Sequence, residues 1–333
     1  MKGLTGFWSK RKFLGFAGAC AASVLTSAKA QEDYPTRPVR IIVPFPAGGN
    51  FDRVFRVLSA NAALRLSQSI LVDNRPGAGG IIGIASGAKS APDGYTFVGV
   101  ANSFSVNPSI RTDMPYKQTD LTPVILIGAT PLVLLASPEL SGKVSSLPEL
   151  LSYARSLGKP LTYGSFGAAT TPHLAMEMLR LRENLPVIHI PYKGESQAVT
   201  DLQASTIDLV FSNLPTALPH VKAGRMKILA MGTSKRSSIA PEIATVAEQI
   251  GFKDFSFDSW YGLMAPAGTP QQRIAKLYRT LADTLEDRQV RDELLGAGIE
   301  LSGIGEKDFG EFLQSQMRMY ADIIRDAHIV VNP

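Results

Sequence analysis

Apolar positions along this chain follow two spacings, one of strands and one of helices. Val39–Phe45 (VRIIVPF) is a near-continuous apolar run closed by Pro46-Ala47-Gly48-Gly49, which reads as a buried strand and a turn. Phe51, Val54, Phe55, Leu58 and Ala62 then recur at helical intervals, with Arg53 and Arg56 off the stripe. A second strand, Ile70–Val72, leads into Asn74–Gly80 (NRPGAGG) and a short helix. Pro92-Asp93-Gly94 turns the chain into a third strand, Tyr95–Val100. Strands and helices in alternation, with the strands apolar throughout, predict a parallel sheet covered by helices on both faces.

The same alternation returns further on. Thr130–Ala136 reads as extended, Leu147–Ser156 as a helix and Leu161–Tyr163 as a strand. A Gly/Ser/Thr loop and a helix from Pro172 come next. Val187–Ile190, Ile207–Phe211 and Lys227–Met231 read as strands, separated by helices at Gln197–Ala204 and near Ala217–Ala223. Trp260–Met264 is a further strand, and two long helices, Gln271–Leu285 and Lys307–Asp326, close the chain. Two α/β units joined by extended segments predict twin lobes around a cleft.

Two loops hold candidate binding chemistry. Gly48-Gly49 lies between strand and helix, where backbone N–H groups can approach an anion without a Cβ in the way. A tight connection with no ligand fits the same residues. The counterpart is Tyr163–Thr171 (YGSFGAATT), in which Ser165, Thr170 and the loop amides could hold a carboxylate, while Thr171 and Pro172 suit a helix start. Asp52 either stabilises the first turn of its helix or touches a polar ligand. Trp260 and Tyr261, beside Asp258, either line the cleft or fill the core.

Enzyme signatures are missing. Gly77-Ala-Gly79-Gly80-Ile-Ile-Gly83 does not complete G-x-G-x-x-G, there is no Walker A sequence, and Tyr163-Gly-Ser165-Phe-Gly167 lacks the first glycine of a nucleophile elbow. The four histidines, 173, 189, 220 and 328, have no metal-ligand spacing, so neither a metal nor a cofactor is expected.

Composition sharpens this picture at the N-terminus. The 333-residue chain has a formal charge of +5, and Lys2, Lys10, Arg11, Lys12 and Lys29 account for all of it, because residues 1–30 contain no acids. Basic residues, the apolar stretch Phe13–Leu25 and Ala28-Lys29-Ala30 make a secretory signal, with cleavage expected after Ala30. Ser9-Lys10-Arg11-Lys12-Phe13-Leu14 approaches a twin-arginine signal with Lys at the first Arg position, and Cys20 offers lipidation as an alternative. Cleavage after Ala30 leaves a neutral chain with no cysteine. That removes the electrostatic case for nucleic acid, along with disulfides and thiolate chemistry.

In the segments YPTRPVRIIVPFPAGG (34–49), NRPGAGG (74–80), APDGYTF (91–97), IPYKG (190–194), LPHVKAG (218–224) and WYGLMAPAGTP (260–270), the chain resembles the Bug family. These are the TctC-like solute receptors of tripartite tricarboxylate transporters. The resemblance, from about Tyr34 to Ala327, implies an α/β periplasmic binding protein of two lobes, type II, with the ligand cleft between them. Residues 34–131 and 256–333 would form lobe 1, and 132–255 lobe 2.

It also implies a non-catalytic, monomeric receptor in the periplasm, binding a small carboxylated solute for membrane transporter subunits or for a sensor kinase. Family ligands are held by backbone groups and water, which points to Phe45, Ala47, Gly48, Gly49 and Asp52, then to Ser165, Gly167, Ala169 and Thr170. Asn102, Ser103 and Asp208 are further positions. Two departures stand out. Ala169 occupies the place of a usual glycine, and Glu195-Ser196-Gln197 replaces small residues after Tyr-Lys-Gly. If Glu195 faces the cleft it disfavours a second carboxylate; if it faces solvent it has no bearing.

Overall fold

A computed structural model describes residues 34–331. The expected signal sequence, Cys20 and the expected cleavage point after Ala30 lie outside the described residues. The elements below all belong to the unit that starts at Arg37.

Strand β1 (Val39–Val43) leads through the Gly48-Gly49 turn to helix α1 (Asn50–Leu66), whose buried stripe includes Phe51, Val54, Phe55, Leu58 and Ala62. Strand β2 (Ile70–Asn74), helix α2 (Ile81–Ala88), strand β3 (Thr96–Val100) and helix α3 (Asn102–Ile110) follow. Strands β2, β1 and β3 are parallel neighbours, as the alternating pattern requires.

Strand β4 (Leu121–Ala136) is the axis of the molecule. Beyond it come α4 (Pro138–Ser141), α5 (Leu147–Ser156), β5 (Leu161–Ser165), α6 (Thr171–Glu183), β6 (Val187–Pro191) and α7 (Glu195–Gln203). Then follow β7 (Leu209–Asn213), α8 (Leu214–Lys222), β8 (Lys227–Met231) and α9 (Val246–Ile250). The chain returns along β9 (Asp258–Pro266), continues through α10 (Gln271–Leu285), α11 (Arg288–Gly296) and β10 (Glu300–Gly305), and ends with α12 (Glu306–Asp326).

The sheet is mixed, not parallel throughout. Residues 121–131 of β4 pair antiparallel with β9, and part of that stretch pairs antiparallel with β10. Residues 132–136 pair antiparallel with β7, and 133–136 with β8. The reason is topological: β4 carries the chain out of the first lobe and β9 carries it back, so the two run in opposite directions. Strands β5, β6 and β7 of the second lobe are parallel. Side-chain alternation along β4 feeds two cores. Leu132, Leu134 and Ala136 pack with Tyr163, Leu174 and Phe211, whereas Val133 and Leu135 pack on the other face with Val199, Leu202 and Val210.

Helix α12 also joins the lobes. Phe309 and Leu313 are buried with Val98, Trp260 and Met264, while Tyr320, Ile323 and Ile324 are buried two turns further on with Leu134, Phe211 and Phe257. No helix among the described residues is long and apolar enough to cross a membrane.

Candidate functional site

The loops leaving β1, β3 and β5 line a cavity of about 710 Å³. Its position outside the carboxyl ends of parallel strands is where α/β sheets bind ligands. Helices begin there too: Asn50 and Phe51 open α1, Ile81 opens α2, Asn102 and Ser103 open α3, and Thr171 opens α6, and all of these residues line the cavity. First-turn N–H groups have no intrahelical acceptor, and the helix dipole adds partial positive charge, so these termini favour an anion. The charged lining residues are Arg111 and Asp113, and they neutralise each other through hydrogen bonds of 3.0 and 3.1 Å.

In the first-lobe turn Gly48 has a φ of +86°, a conformation that glycine adopts without strain. Its N–H donates to Asp52 Oδ2 at 2.9 Å. Asp52 is buried and also accepts from Arg56 Nε at 2.8 Å and from Asn74 Nδ2 at 2.8 Å, and the same Asn74 amide holds the Phe45 carbonyl. Burial by itself raises the Asp52 pKa, but the hydrogen bonds from Arg56, Gly48 and Asn74 outweigh it and hold the carboxylate below its ordinary value. The residue clamps the turn against β2 and does not line the cavity.

The second-lobe loop is held from within. Thr170 Oγ1 donates to the Gly167 carbonyl at 2.7 Å, and the Gly167 N–H donates to Ser165 Oγ at 3.2 Å. Ser165 Oγ lies 2.9 Å from the Gly167 carbonyl and 2.7 Å from His189 Nε2. One assignment satisfies every contact: the serine donates to the carbonyl and accepts from an Nε2–H of His189. Ala169 sits in the left-handed region with a φ of +57°, a backbone shape that suits glycine better than alanine. Its N–H donates to His173 Nδ1 at 2.9 Å.

His173 and His189 stack with centroids 3.8 Å apart. Burial, then the neighbouring His189 and Arg180, push the His173 pKa down to about 3, and burial lowers that of His189. Both rings are therefore neutral at physiological pH, and His173 Nδ1 is free to accept.

Aromatic and amide groups complete the walls. Phe45 and Phe51 are 4.7 Å apart, and Tyr261 lies 5.7 Å from Phe51, with its hydroxyl 2.9 Å from Thr130 Oγ1. Asn102 Nδ2 donates to the Asp258 carbonyl at 2.8 Å and to the Tyr320 hydroxyl at 3.0 Å, while its Oδ1 accepts the Trp260 N–H. That side chain ties α3 to β9 and α12, leaving its backbone at the cavity. The Ser103 hydroxyl is buried with no hydrogen-bond partner among the described residues. The Asn107 amide and the Trp260 indole N–H lie near the hydroxyls of Tyr116 and Tyr320 but make no hydrogen bond of good geometry.

Of the residues singled out from the sequence, Phe45, Asn102, Ser103, Ala169 and Thr170 line this cavity. Ala47, Gly48 and Gly49 form the exposed turn beside it, and Ser165 and Gly167 shape the second loop from behind. Asp208 stands elsewhere: its carboxylate accepts from the Thr162 N–H and hydroxyl at the opposite end of β5 from Ser165. Trp260 does both things considered for it, lining the cavity while packing edge-on against Phe309. Sequence reading missed Asn107, Arg111, Asp113, Asn213 and Ser259, which also line it. Asn213-Leu-Pro215 carried a usable signal, an N-cap residue just ahead of a helical proline.

The model of the tripartite tricarboxylate transporter family receptor, TctC, matches residues 54–329. Protein BugT of Bordetella pertussis is 33% identical over 319 residues, covering 95% of this chain and 97% of that one. Among solved structures, Rpa4515 of R. palustris with adipate has 31% identity and a TM-score of 0.75, covering 89% of this chain and 99% of that one. MatC (Rpa3494) from Rhodopseudomonas palustris with bound malate has 26% identity and a TM-score of 0.69, covering 87% and 100%.

Proposed function

This chain belongs to the tripartite tricarboxylate transporter receptor family, TctC, and on that premise we propose that it captures a small organic acid outside the cytoplasm and delivers it unchanged to membrane transporter subunits. One observation carries the reading: the N-termini of α1, α2, α3 and α6 converge on a single cavity whose only charged lining residues, among those described, are the paired Arg111 and Asp113. Preorganised N–H groups can hold a carboxylate without a cationic side chain. The adipate and malate held by the two R. palustris relatives support that ligand class.

Lobe 1 comprises residues 34–131 and 256–333 and lobe 2 residues 132–255, with β4 crossing between them and α12 of lobe 1 packing into the cores of both. The amides of Ala47 and Gly49 face the solute from lobe 1 and the loop of Ala169 and Thr170 from lobe 2, with the Gly48 N–H held by Asp52 and the Ala169 N–H by His173. Asp52, Ser165 and Gly167 fix the shapes of these loops. The receptor is a periplasmic monomer released by cleavage after Ala30. A solute closes the lobes only to the extent that it binds the closed form better.

The test is thermal unfolding of the refolded chain, lacking residues 1–30, across a panel of small carboxylic acids. A true ligand at a hundred times its dissociation constant adds about 2.7 kcal/mol of stability. No shift with any acid would overturn the reading, as would chemical conversion of a bound acid.

A further inference from the structure

Behind the second-lobe wall of the cavity lies a carboxylate that belongs to the protein. Glu195, the first residue of α7, points at the start of α8. Its Oε1 accepts from Ser212 Oγ at 2.7 Å and from the Asn213 N–H at 2.7 Å, and its Oε2 accepts from Asn213 Nδ2 at 2.8 Å. Three donors ahead of a helix N-terminus form an anion cradle, and here the chain's own acid fills it.

This arrangement uses up the wall's recognition capacity. Asn213 lines the cavity, yet its N–H and both side-chain heavy atoms are engaged, because its Oδ1 accepts from Ser259 Oγ at 2.9 Å. Ser259 also lines the cavity and is committed as a donor to Asn213. A solute reaching this wall therefore meets one remaining Nδ2–H of Asn213, acceptor lone pairs and, one hydrogen bond behind them, the Glu195 carboxylate. Elsewhere the lining includes the apolar side chains of Val106 and Ile110 and the ring of Tyr261. Arg111 is paired with Asp113, which offsets its charge.

We propose that Glu195 is a specificity-determining residue that restricts the site to solutes with one carboxylate and a neutral, largely apolar remainder, excluding α,ω-dicarboxylates. This rests on the receptor reading and narrows its ligand class. The single carboxylate sits at the converging helix N-termini. A second one would face the Glu195 charge at a wall where the Asn213 N–H and the Ser259 hydroxyl are already committed, a repulsion that is strong in a partly desolvated cavity.

Isothermal titration of the refolded chain with matched pairs tests this. The pairs are straight-chain monocarboxylates from acetate to octanoate, each against the dicarboxylate of the same carbon count where one exists, and benzoate against terephthalate. The expected result is that the chain binds its best monocarboxylate at least about tenfold tighter than the matched dicarboxylate. Glu195→Ala, which frees the donors of Ser212 and Asn213, should shift that ratio by about tenfold or more toward the dicarboxylate. Glu195→Gln should give a smaller shift in the same direction.

A dicarboxylate preference in the unmodified chain overturns the inference while leaving the receptor reading intact. So does an unchanged ratio in a cooperatively folding Glu195→Ala. If that variant does not fold, the ratios for the unmodified chain and Glu195→Gln decide. Binding of neither series overturns the receptor reading and this inference together.

Discussion

The Gly48 N–H donates to the Asp52 carboxylate at 2.9 Å, so a turn that looks built for a ligand is first built around an internal acid. Asp52→Ala would leave that N–H without an acceptor and the half-buried Asn74 amide with only the Phe45 carbonyl. The expected cost is about 2 kcal/mol of stability, read from chemical denaturation, together with weaker capture of carboxylates by titration. Asp52→Asn should lose less stability, because one acceptor oxygen remains. Because the folded pKa is depressed, the Asp52 contribution is complete above its ordinary value of 3.8 and fades as pH falls through the lower folded value.

A second pH dependence comes from His173. Its pKa in the folded chain is about 3, against an ordinary 6.5, so between those values the unfolded chain binds a proton that the folded chain does not. Stability is therefore complete above pH 6.5 and falls with acidification, by about 1.4 kcal/mol per pH unit once well inside that window. Melting curves between pH 7 and pH 4 should show this slope, and His173→Asn should flatten it. In the folded chain His173 stays neutral down to about pH 3, so the Ala169 N–H keeps its Nδ1 acceptor and carboxylate affinity should hold over the same range.

Asp258 carries the opposite sign. Burial, reinforced by the Glu300 charge, raises its pKa to about 7 from 3.8. Between those values the folded chain keeps a proton that the unfolded chain has released, so this group's contribution declines as pH rises. Asp258→Asn removes the cost of ionisation and should stabilise the chain at pH 8 by about 1–2 kcal/mol, with a much smaller effect at pH 5. Equal effects at the two pH values would contradict the assignment.

Packing of α12 against the first lobe has a simple steric test. A Cβ at Gly262 would overlap the buried ring of Phe309. Gly262→Ala should cost about 2 kcal/mol in a denaturant titration, because neither β9 nor the ring can move without disturbing Trp260.

Much of the architecture was legible in the chain because local patterns recorded it. Strand β8 and helix α10 have the bounds that their apolar spacing predicts, Lys227–Met231 and Gln271–Leu285. Helix α3 was missed because Asn102, Ser103, Ser105, Asn107 and Pro108 are poor helix formers with no apolar stripe, and its start is held by Asn102 bonding to β9 and α12. Helix α11 offered only Val290 and Leu294 as a buried pair, and β10 is interrupted by glycine.

By itself, the sequence determined the alternation of strands and helices, the two loops at the strand ends, and an ordered set of segments resembling one receptor family. These follow from local periodicity and turn chemistry, which depend on neighbours a few residues away. Tertiary structure decided the direction of β9 against β4, the withdrawal of Asp208 from the cavity and the engagement of Asp52 by the turn. It also decided that Glu195 faces neither open solvent nor the cavity itself, but the donors of Ser212 and Asn213. The physical reason is that hydrogen-bond partners separated by tens of residues are chosen by how strands stack in the sheet, and no local spacing encodes that choice.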